Sequence, residues 1–438
     1  MASETSSYDA APQPSRPVKR PGSAGAAFAY RDFRIVWFGS FASNVGTWMQ
    51  TAVQGAYAYK LTHSSTFVGA LGLAQLGPLL LLAMVGGVIA DRIDRRRWIM
   101  WMQSEQAVFS LVLAWIVIAN DHPSRLALFL CVLAVGIGNA LSGPAYSSSL
   151  PLLVGTRDLP GALSLNSTLI NGTRVFGPVL GTLLYRGVGA GAVFAVNAVT
   201  YLFVIVAIGM VRIPRTAPVL GTLKERYLGG IHAARRDPVV SRSLLILPLF
   251  SFFCLPFISL FAPLAEKSLG LNSKGTGYGL LYAAFGLGAA VGSLSIGTWL
   301  TGVDRRLIVR YGLAAFGVLA FVFGLLHHPA PAYPVVFVLG AAYFGLTTAL
   351  MTIVQSRLAD NVRGRVMALW FMGFGGTVSV SGLAFGPVLD HFGGTTMMAV
   401  SALSALVLAA WFNLVKLDER ATERAKASAV AGPTAATA

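Results

Sequence analysis

Between residues 86 and 97 an apolar run closes on GGVIADRIDRRR, which sets two acids and four arginines within seven residues. Gly87, Asp91, Arg92, Arg95 and Arg96 follow a G-x-x-x-D-R-x-x-R-R spacing. An aspartate there can cap a helix N-terminus and pair with a guanidinium across an interface, while the glycine admits a neighbouring helix at close range. That is the chemistry of a latch. The plainer reading, a basic cluster that only orients the chain in a bilayer, leaves the fixed glycine and aspartate offsets unexplained.

Two further charges stand inside apolar runs. Arg174, in INGTRVFGPVLG, costs about 2.5–3.5 kcal/mol or more near a bilayer midplane, so it must face protein or a watery cavity. Its roles are an electropositive contact for an acidic or polar substrate, a partner in a proton relay, or a structural cation satisfied by amides such as Asn171 or Asn166. Glu105, in MQSEQ, is the one carboxylate clearly embedded in an apolar run; burial favours its protonated form, which suits it to carry a coupling proton, unless it pairs with a loop arginine. No clustered nucleophile, paired carboxylates or metal-ligand spacing accompanies them. The six histidines fall in loops or at span edges, Cys131 and Cys254 stand alone in apolar runs as buried thiols, and no phosphate-binding G-x-x-x-x-G-K-[ST] occurs. No cofactor and no metal are expected, and transport without a nucleotide site must run on an ion gradient.

The elements that hold these residues are membrane helices. Of the 438 residues, 55% are hydrophobic and only 11% charged, which excludes an ordinary soluble domain. Apolar runs long enough to cross a bilayer recur at about 34–59, 66–90, 98–120, 125–149, 161–186, 190–212, 244–267, 275–300, 307–327, 332–356, 365–388 and 394–416. The fold class is therefore all-α, with twelve transmembrane helices. The longest polar interruption divides them into a six-helix bundle at 30–213 and another at 243–416, joined by a linker at 214–242 and flanked by tails at 1–29 and 417–438. TGVDRRL at 301–307 echoes DRIDRRR at 91–97, as a duplicated six-helix unit requires. Gly288 and Gly292, four residues apart, mark close helix packing in the eighth span.

Placing the cations on this topology puts 27 of the 33 lysines and arginines on the side of the tails and linker, five (Lys60, Arg125, Arg186, Lys267, Lys274) opposite, and Arg174 within a span. The bias predicts cytoplasmic termini in a multi-pass inner-membrane protein. It also accounts for the net charge of +16 without nucleic acid; the lipid bilayer is the partner it implies, and a monomer is expected.

The latch spacing resembles the loop signature of the major facilitator superfamily, with Asp94 where that family often has glycine. SNVGTWMQTAVQGAYAYKLTHSSTFVGALGLAQLGPLLLL (43–82), GPVLGTLL (177–184), RRDPVVSRSLL (235–245) and LADNVRGRVMAL (358–369) resemble its transmembrane secretion effector branch, which includes the enterobactin exporter and related multidrug exporters. The resemblance implies export of a small amphipathic molecule, drug-like or siderophore, in exchange for protons, by two bundles rocking about a midplane site while the Asp91–Arg92 knot breaks as the inner gate opens. It implies too that the first, fourth, seventh and tenth spans line a central cavity. There the chain offers Asn44, Gln50, Gln54, Asn139 and Tyr146, set among aromatics such as Trp48, Phe252 and Phe253, as substrate contacts or interhelical packing. Gly177, Pro178 and Gly181 resemble the core of a fifth-helix motif of drug:proton antiporters, which bends and packs that helix. Uptake of a nutrient through the same fold is the rival within the class; a channel or membrane-embedded enzyme is the rival outside it.

Overall fold

A computed structural model describes residues 22–214, 223–411 and 414. Every regular element among them is helical. A single turn, α1 (Ala24–Ala27), is followed by α2 (Arg31–Thr62), α3 (Ser65–Arg92), α4 (Arg95–Ala119), α5 (Arg125–Val188) and α6 (Ala190–Met210). The second series comprises α7 (Leu223–Arg236), α8 (Pro238–Cys254), α9 (Pro256–Ser259), α10 (Phe261–Leu269), α11 (Thr276–Gly297), α12 (Arg305–Leu325), α13 (Pro329–Ser356), α14 (Asp360–Phe371), a π-helical turn at Met372–Gly376 and α15 (Thr377–Trp411).

The helices begin where the sequence supplies caps. Ser64 accepts from the Phe67 amide at the head of α3, Asp237 from Val239 and Val240 at α8, Asp94 from Arg97 at α4 and Asp304 from Arg306 at α12. The last two are the same device: Asp94 (φ −59°, ψ 110°) and Asp304 (φ −58°, ψ 119°) occupy matching positions of the DRIDRRR and TGVDRRL echo. The sequence repeat is thus a structural one. Asp94, the apparent departure from the loop signature, does the capping that was expected of Asp91; the side chain of Asp91 lies outside the described residues.

Two long helices each contain one residue with non-helical geometry. Gly155 (φ 71°) divides α5 between the fourth and fifth expected spans, and Gly393 (φ 80°) divides α15 between the eleventh and twelfth. A left-handed φ carries little penalty only for glycine, which is why the chain turns there without a loop. The seventh expected span departs more. It starts at Pro238 instead of 244 and breaks after Cys254, because Pro256 lacks the amide a continuing helix needs and disfavours helical geometry at Leu255.

The tail and linker boundaries also move. Residues 22–29, expected in a tail, are folded: Ser23 caps α1, and the Gly22 amide and the Tyr30 hydroxyl both donate to Asp158, each at 2.8 Å. Within the 214–242 linker, α7 meets α8 at 118°; residues 215–222 and the 417–438 tail lie outside the described residues.

α2, α3, α4, α5 and α6 pack on one another, as do α8, α11, α12, α13 and α15, and the two groups meet mainly through α3 against α15 and α5 against α11. A large apolar core runs through both, and a smaller one around Phe33, Trp98, Leu150 and Ile208 lies among α2, α4, α5 and α6. Trp115, Trp299, Leu403 and Trp411 are at least 66% exposed on the outside, where only lipid makes such a surface favourable. Eight of the described helices are long and apolar enough to cross a bilayer, or nine if the α7–α8 pair counts as one span. The face bearing the Asp94, Gly155, Asp304 and Arg357 turns is called the tail face below, and that bearing the His63, Gly189, Gly270 and Gly393 turns the far face.

Candidate functional site

Arg174 is set by the glycines that follow it. At Gly177 a methyl group would overlap Trp48, and at Gly181 it would lie 2.9 Å from the Met49 backbone, so only glycine lets α5 press this closely on α2. Pro178, buried between them, leaves the Arg174 carbonyl without its usual helical donor. On the other side a methyl at Gly286 of α11 would stand 3.1 Å from that carbonyl. The guanidinium therefore sits where both helix groups meet, with its carbon 4.8 Å from the Trp48 ring centroid and 4.4 Å from that of Phe344 on α13. Tyr282 stands edge-on to Trp48 at 6.5 Å, and Tyr343 to Phe344 at 4.4 Å.

This aromatic clamp replaces the amides expected as partners: Asn171 donates instead to the Ser167 carbonyl. Nε and Nη1 of Arg174 are buried and make no hydrogen bond among the described residues. Stacking on two rings is worth on the order of 2 kcal/mol when desolvated. Each unmet buried donor costs about 1–3 kcal/mol, so the stacking does not make up for two of them. The geometry accommodates an acceptor that the described residues do not provide.

The polar residues of the expected pathway divide into two sets. Gln50, 2% exposed, accepts from Ser110 of α4 and Asn197 of α6, at 3.2 and 2.7 Å, and so ties three helices together. Gln54 bonds Gln75 of α3, which in turn donates to Thr51. Asn44 donates to its own helix at Ser40, and Tyr146 packs at the edge of the smaller core. These serve the packing of α2 and its neighbours. Asn139 is different: it is exposed on α5, and Gly143 and Ser147 follow at four-residue intervals on the same face. Those two line a cavity of about 430 Å³ on the tail face, with Gly87 and Pro144 on one wall and Gly364, Arg365, Met367 and Phe371 of α14 on the other. Gly288 and Gly292 leave no room for a side chain beside Phe337 and Ala341 of α13, so they set the α11–α13 contact.

Glu105 lies against Gly138 of α5, within the first helix group. One of its carboxylate oxygens is buried with no partner among the described residues. Among the described residues no loop arginine is paired with it.

At the charged knot, the close helix approach is made by Gly86, where a methyl would stand 2.9 Å from the Leu141 Cα; at Gly87 the nearest atom would be Pro144 Cβ at 3.9 Å. Gly87 faces the cavity instead. Arg96 donates to the carbonyls of Ile208 and Gly209, covering the C-terminus of α6. That bond lies inside one helix group and does not bridge the two. Arg92 is exposed and Arg95 half-buried.

Sequence reasoning missed the bridge on the far face. Asp390, just before the Gly393 break, accepts from the Ser65 and Thr66 amides at 3.1 and 3.2 Å, from the Thr66 hydroxyl at 3.3 Å and from Lys267 Nζ at 2.7 Å. It caps the N-terminus of α3 from the opposite helix group, with the helix dipole favouring its charge. Burial alone would raise its pKa; the Lys267 ammonium and the Ser65 and Thr66 donors outweigh that and hold it at about 2. Beneath it Gly382 and Gly386 of α15 lie against Gly69 and Thr66 of α3, so the two groups are in backbone contact here. Its signal in the sequence was faint: VLDHFGG offers a single acid beside a turn.

Comparison with known proteins gives a consistent family. A family model described as transmembrane secretion effector matches residues 22–437. The enterobactin exporter EntS of Escherichia coli O1:K1 / APEC is 25% identical over 379 residues, covering 85% of this chain and 88% of that protein. Its counterpart in Salmonella typhimurium (strain LT2) is 26% identical over 380 residues, covering 86% and 88%. Among solved structures, a bacterial homologue of the iron transporter ferroportin in an inward-facing state superposes with a TM-score of 0.67 at 15% identity, covering 88% of this chain and 98% of that one. The POT family transporter PepTSo gives 0.70 at 13%, covering 89% and 98%. At such identities the structural likeness concerns the fold.

Proposed function

Because the chain belongs to the transmembrane secretion effector family of the major facilitator superfamily, and is thereby a membrane transporter, we propose that it exports a small amphipathic molecule, a siderophore or drug-like compound, by alternating access with protons as the counter-ion. The observation that carries this reading is Arg174: a cation clamped by Trp48 of one helix group and Phe344 of the other, with two buried donors unmet. A ligand with an anionic or carbonyl oxygen and flat apolar parts satisfies both the donors and the aromatic walls. The named cargo of the relatives in Escherichia coli and Salmonella motivates placing siderophores among the candidates.

In this reading α2 counts as a crossing, as does α8 with its neighbours, and the breaks at Gly155 and Gly393 split two helices. The eight apolar helices then become twelve crossings in two bundles of six, with the termini in the cytoplasm. The far face is fastened by Asp390 and the tail face bears the 430 Å³ cavity between α5 and α14, an arrangement that matches an inward-open state. Rocking toward the outward-open state then breaks the Asp390 bridge and brings the Gly87–Arg96 segment against α14. Glu105, with its unpartnered oxygen, is the candidate proton carrier.

The test is flux in proteoliposomes under an imposed pH gradient, with a panel of siderophores, antibiotics and cationic dyes. Losing a charge-assisted bond of about 1.5–3 kcal/mol, Arg174→Ala is expected to lower flux of anionic cargo roughly 10- to 100-fold, with Arg174→Lys recovering only part because an ammonium stacks less well between two rings. Unchanged flux in Arg174→Ala across the panel removes the site assignment. Flux indifferent to the gradient removes proton exchange.

A further inference from the structure

On the far face a second polar cavity, of about 570 Å³, lies apart from Arg174, and its wall includes Lys60, Lys274, Tyr185, Asn120 and Asp121. Lys60 lies in the last turn of α2 in the first helix group, and Lys274 precedes α11 in the second. The two ammonium groups are neighbours. Lys274 is held below the ordinary lysine pKa, first by the close approach of the Lys60 side chain, then by burial and by the charge of Lys60. Neither reaches a carboxylate among the described residues, whereas Lys267 nearby is paired with Asp390 at 2.7 Å.

Two cations facing each other, neither paired with a carboxylate among the described residues and with Asp121 alone in the same wall, are unfavourable unless a further anion joins them. Three further features point the same way. The hydroxyl of Tyr185, a residue 2% exposed in this wall, has no hydrogen-bond partner among the described residues. The ring of the same tyrosine stands 5.2 Å from Lys274 Nζ, which places donor and cation together. The 21-residue α6 begins in this wall, after Gly189, with no side-chain cap, so its first amides are open donors at the positive end of the helix dipole. Asp121 is the one acid lining the cavity, and it leaves the wall net positive.

We propose that this cavity is an oxyanion site, taking a phosphate group through Lys60, Lys274, the Tyr185 hydroxyl and the first amides of α6. Since its lysines come from different helix groups, a bound phosphate fastens the far face beside the Asp390 bridge and favours the arrangement seen here. Val117, Ile118 and Val188 add an apolar portion to the wall, so the phosphate can belong to a lipid headgroup as well as to the free ion. The inference is independent of which cargo the transporter moves.

The experiment measures the thermal unfolding midpoint of the full-length protein in a neutral detergent, titrated with inorganic phosphate and, separately, with short-chain phosphatidylglycerol. At least one is expected to raise the midpoint: both if the free ion suffices, phosphatidylglycerol alone if the headgroup must be carried on a lipid. Lys60→Gln with Lys274→Gln should abolish the shift, Tyr185→Phe should weaken apparent affinity several-fold, and Asp121→Asn should tighten it. No shift with either probe overturns the proposal. So does a shift that survives in the double variant, or one that Asp121→Asn abolishes. Should the double variant fail to fold, the opposite effects of Tyr185→Phe and Asp121→Asn decide the matter.

Discussion

The two faces of the molecule are held by different kinds of chemistry. On the tail face the charged residues follow one another in sequence, and much of what they do stays within one helix group: Asp94 and Asp304 cap α4 and α12, and Arg96 covers the end of α6. On the far face few charges are present, yet Asp390 joins residues 65, 66 and 267 and thereby both helix groups. Density of charge in a loop therefore does not report where the halves are fastened. A lone acid placed against a foreign helix N-terminus does that more effectively, because it satisfies several backbone donors at once.

The sharpest way to break this contrast is to remove the far-face fastening. Asp390→Ala takes away three bonds to the head of α3 and the partner of Lys267. Coupling of about 1–3 kcal/mol corresponds to roughly a 5- to 150-fold shift in a two-state equilibrium, here toward opening of the far face. Spin labels placed on the 63–64 and 391–393 turns would report it as a longer distance in the variant. An unchanged distance distribution would mean that the α3–α15 backbone contact alone holds this face.

A smaller effect separates the two adjacent glycines on the tail face. Gly86→Ala forces a methyl to within 2.9 Å of the Leu141 backbone and is expected to destabilise by about 1–3 kcal/mol, as overpacking does. Gly87→Ala meets only an ordinary contact at 3.9 Å and should lie within about 0.5 kcal/mol of the parent. Denaturant or thermal unfolding of the pair in detergent measures the difference; equal losses would return the packing role to Gly87.

What the sequence disclosed follows from this contrast. Span positions were legible because apolar length is written in consecutive residues: α3, α4, α11 and α12 begin or end within three residues of expectation. The repeat was legible because the aspartate caps recur in a fixed local frame. Arg174 stood out because a lone charge in an apolar run is rare, but its aromatic clamp joins residues 48, 174 and 344, which only the packing of α2, α5 and α13 brings together. Gln50 stays open in the sequence between substrate contact and helix packing for the same reason. Its type marks a buried polar group, and only the positions of Ser110 and Asn197 decide whether it faces a cavity or ties helices together. Asp390 gave only a lone acid beside a turn, since its partners are the amides and a hydroxyl at residues 65 and 66 and one lysine, all more than a hundred residues away.

The smallest expected effect concerns pH, and it links the two faces to the spans between them. Asp390 is held at about 2, below the ordinary 3.8, so it stabilises the folded, fastened state above pH 3.8 and loses that contribution only as pH falls toward 2. Asp304 on the tail face is also lowered, chiefly by its hydrogen bond with Arg306, so its contribution too persists above the ordinary aspartate range. Neither face should change its fastening between pH 8 and 5, and the spin-label distance across the far face of the cargo-free protein should stay constant there. If transport nevertheless depends on pH in that window, a group other than these two aspartates is titrating, and Glu105 is the one to test first. Glu105→Gln, which cannot release a proton, should then flatten the pH profile without altering the far-face distance. A distance that lengthens between pH 8 and 5 in the parent would place the pH sensitivity in the fastening itself; a profile unmoved by Glu105→Gln would send the search for the proton carrier to other residues.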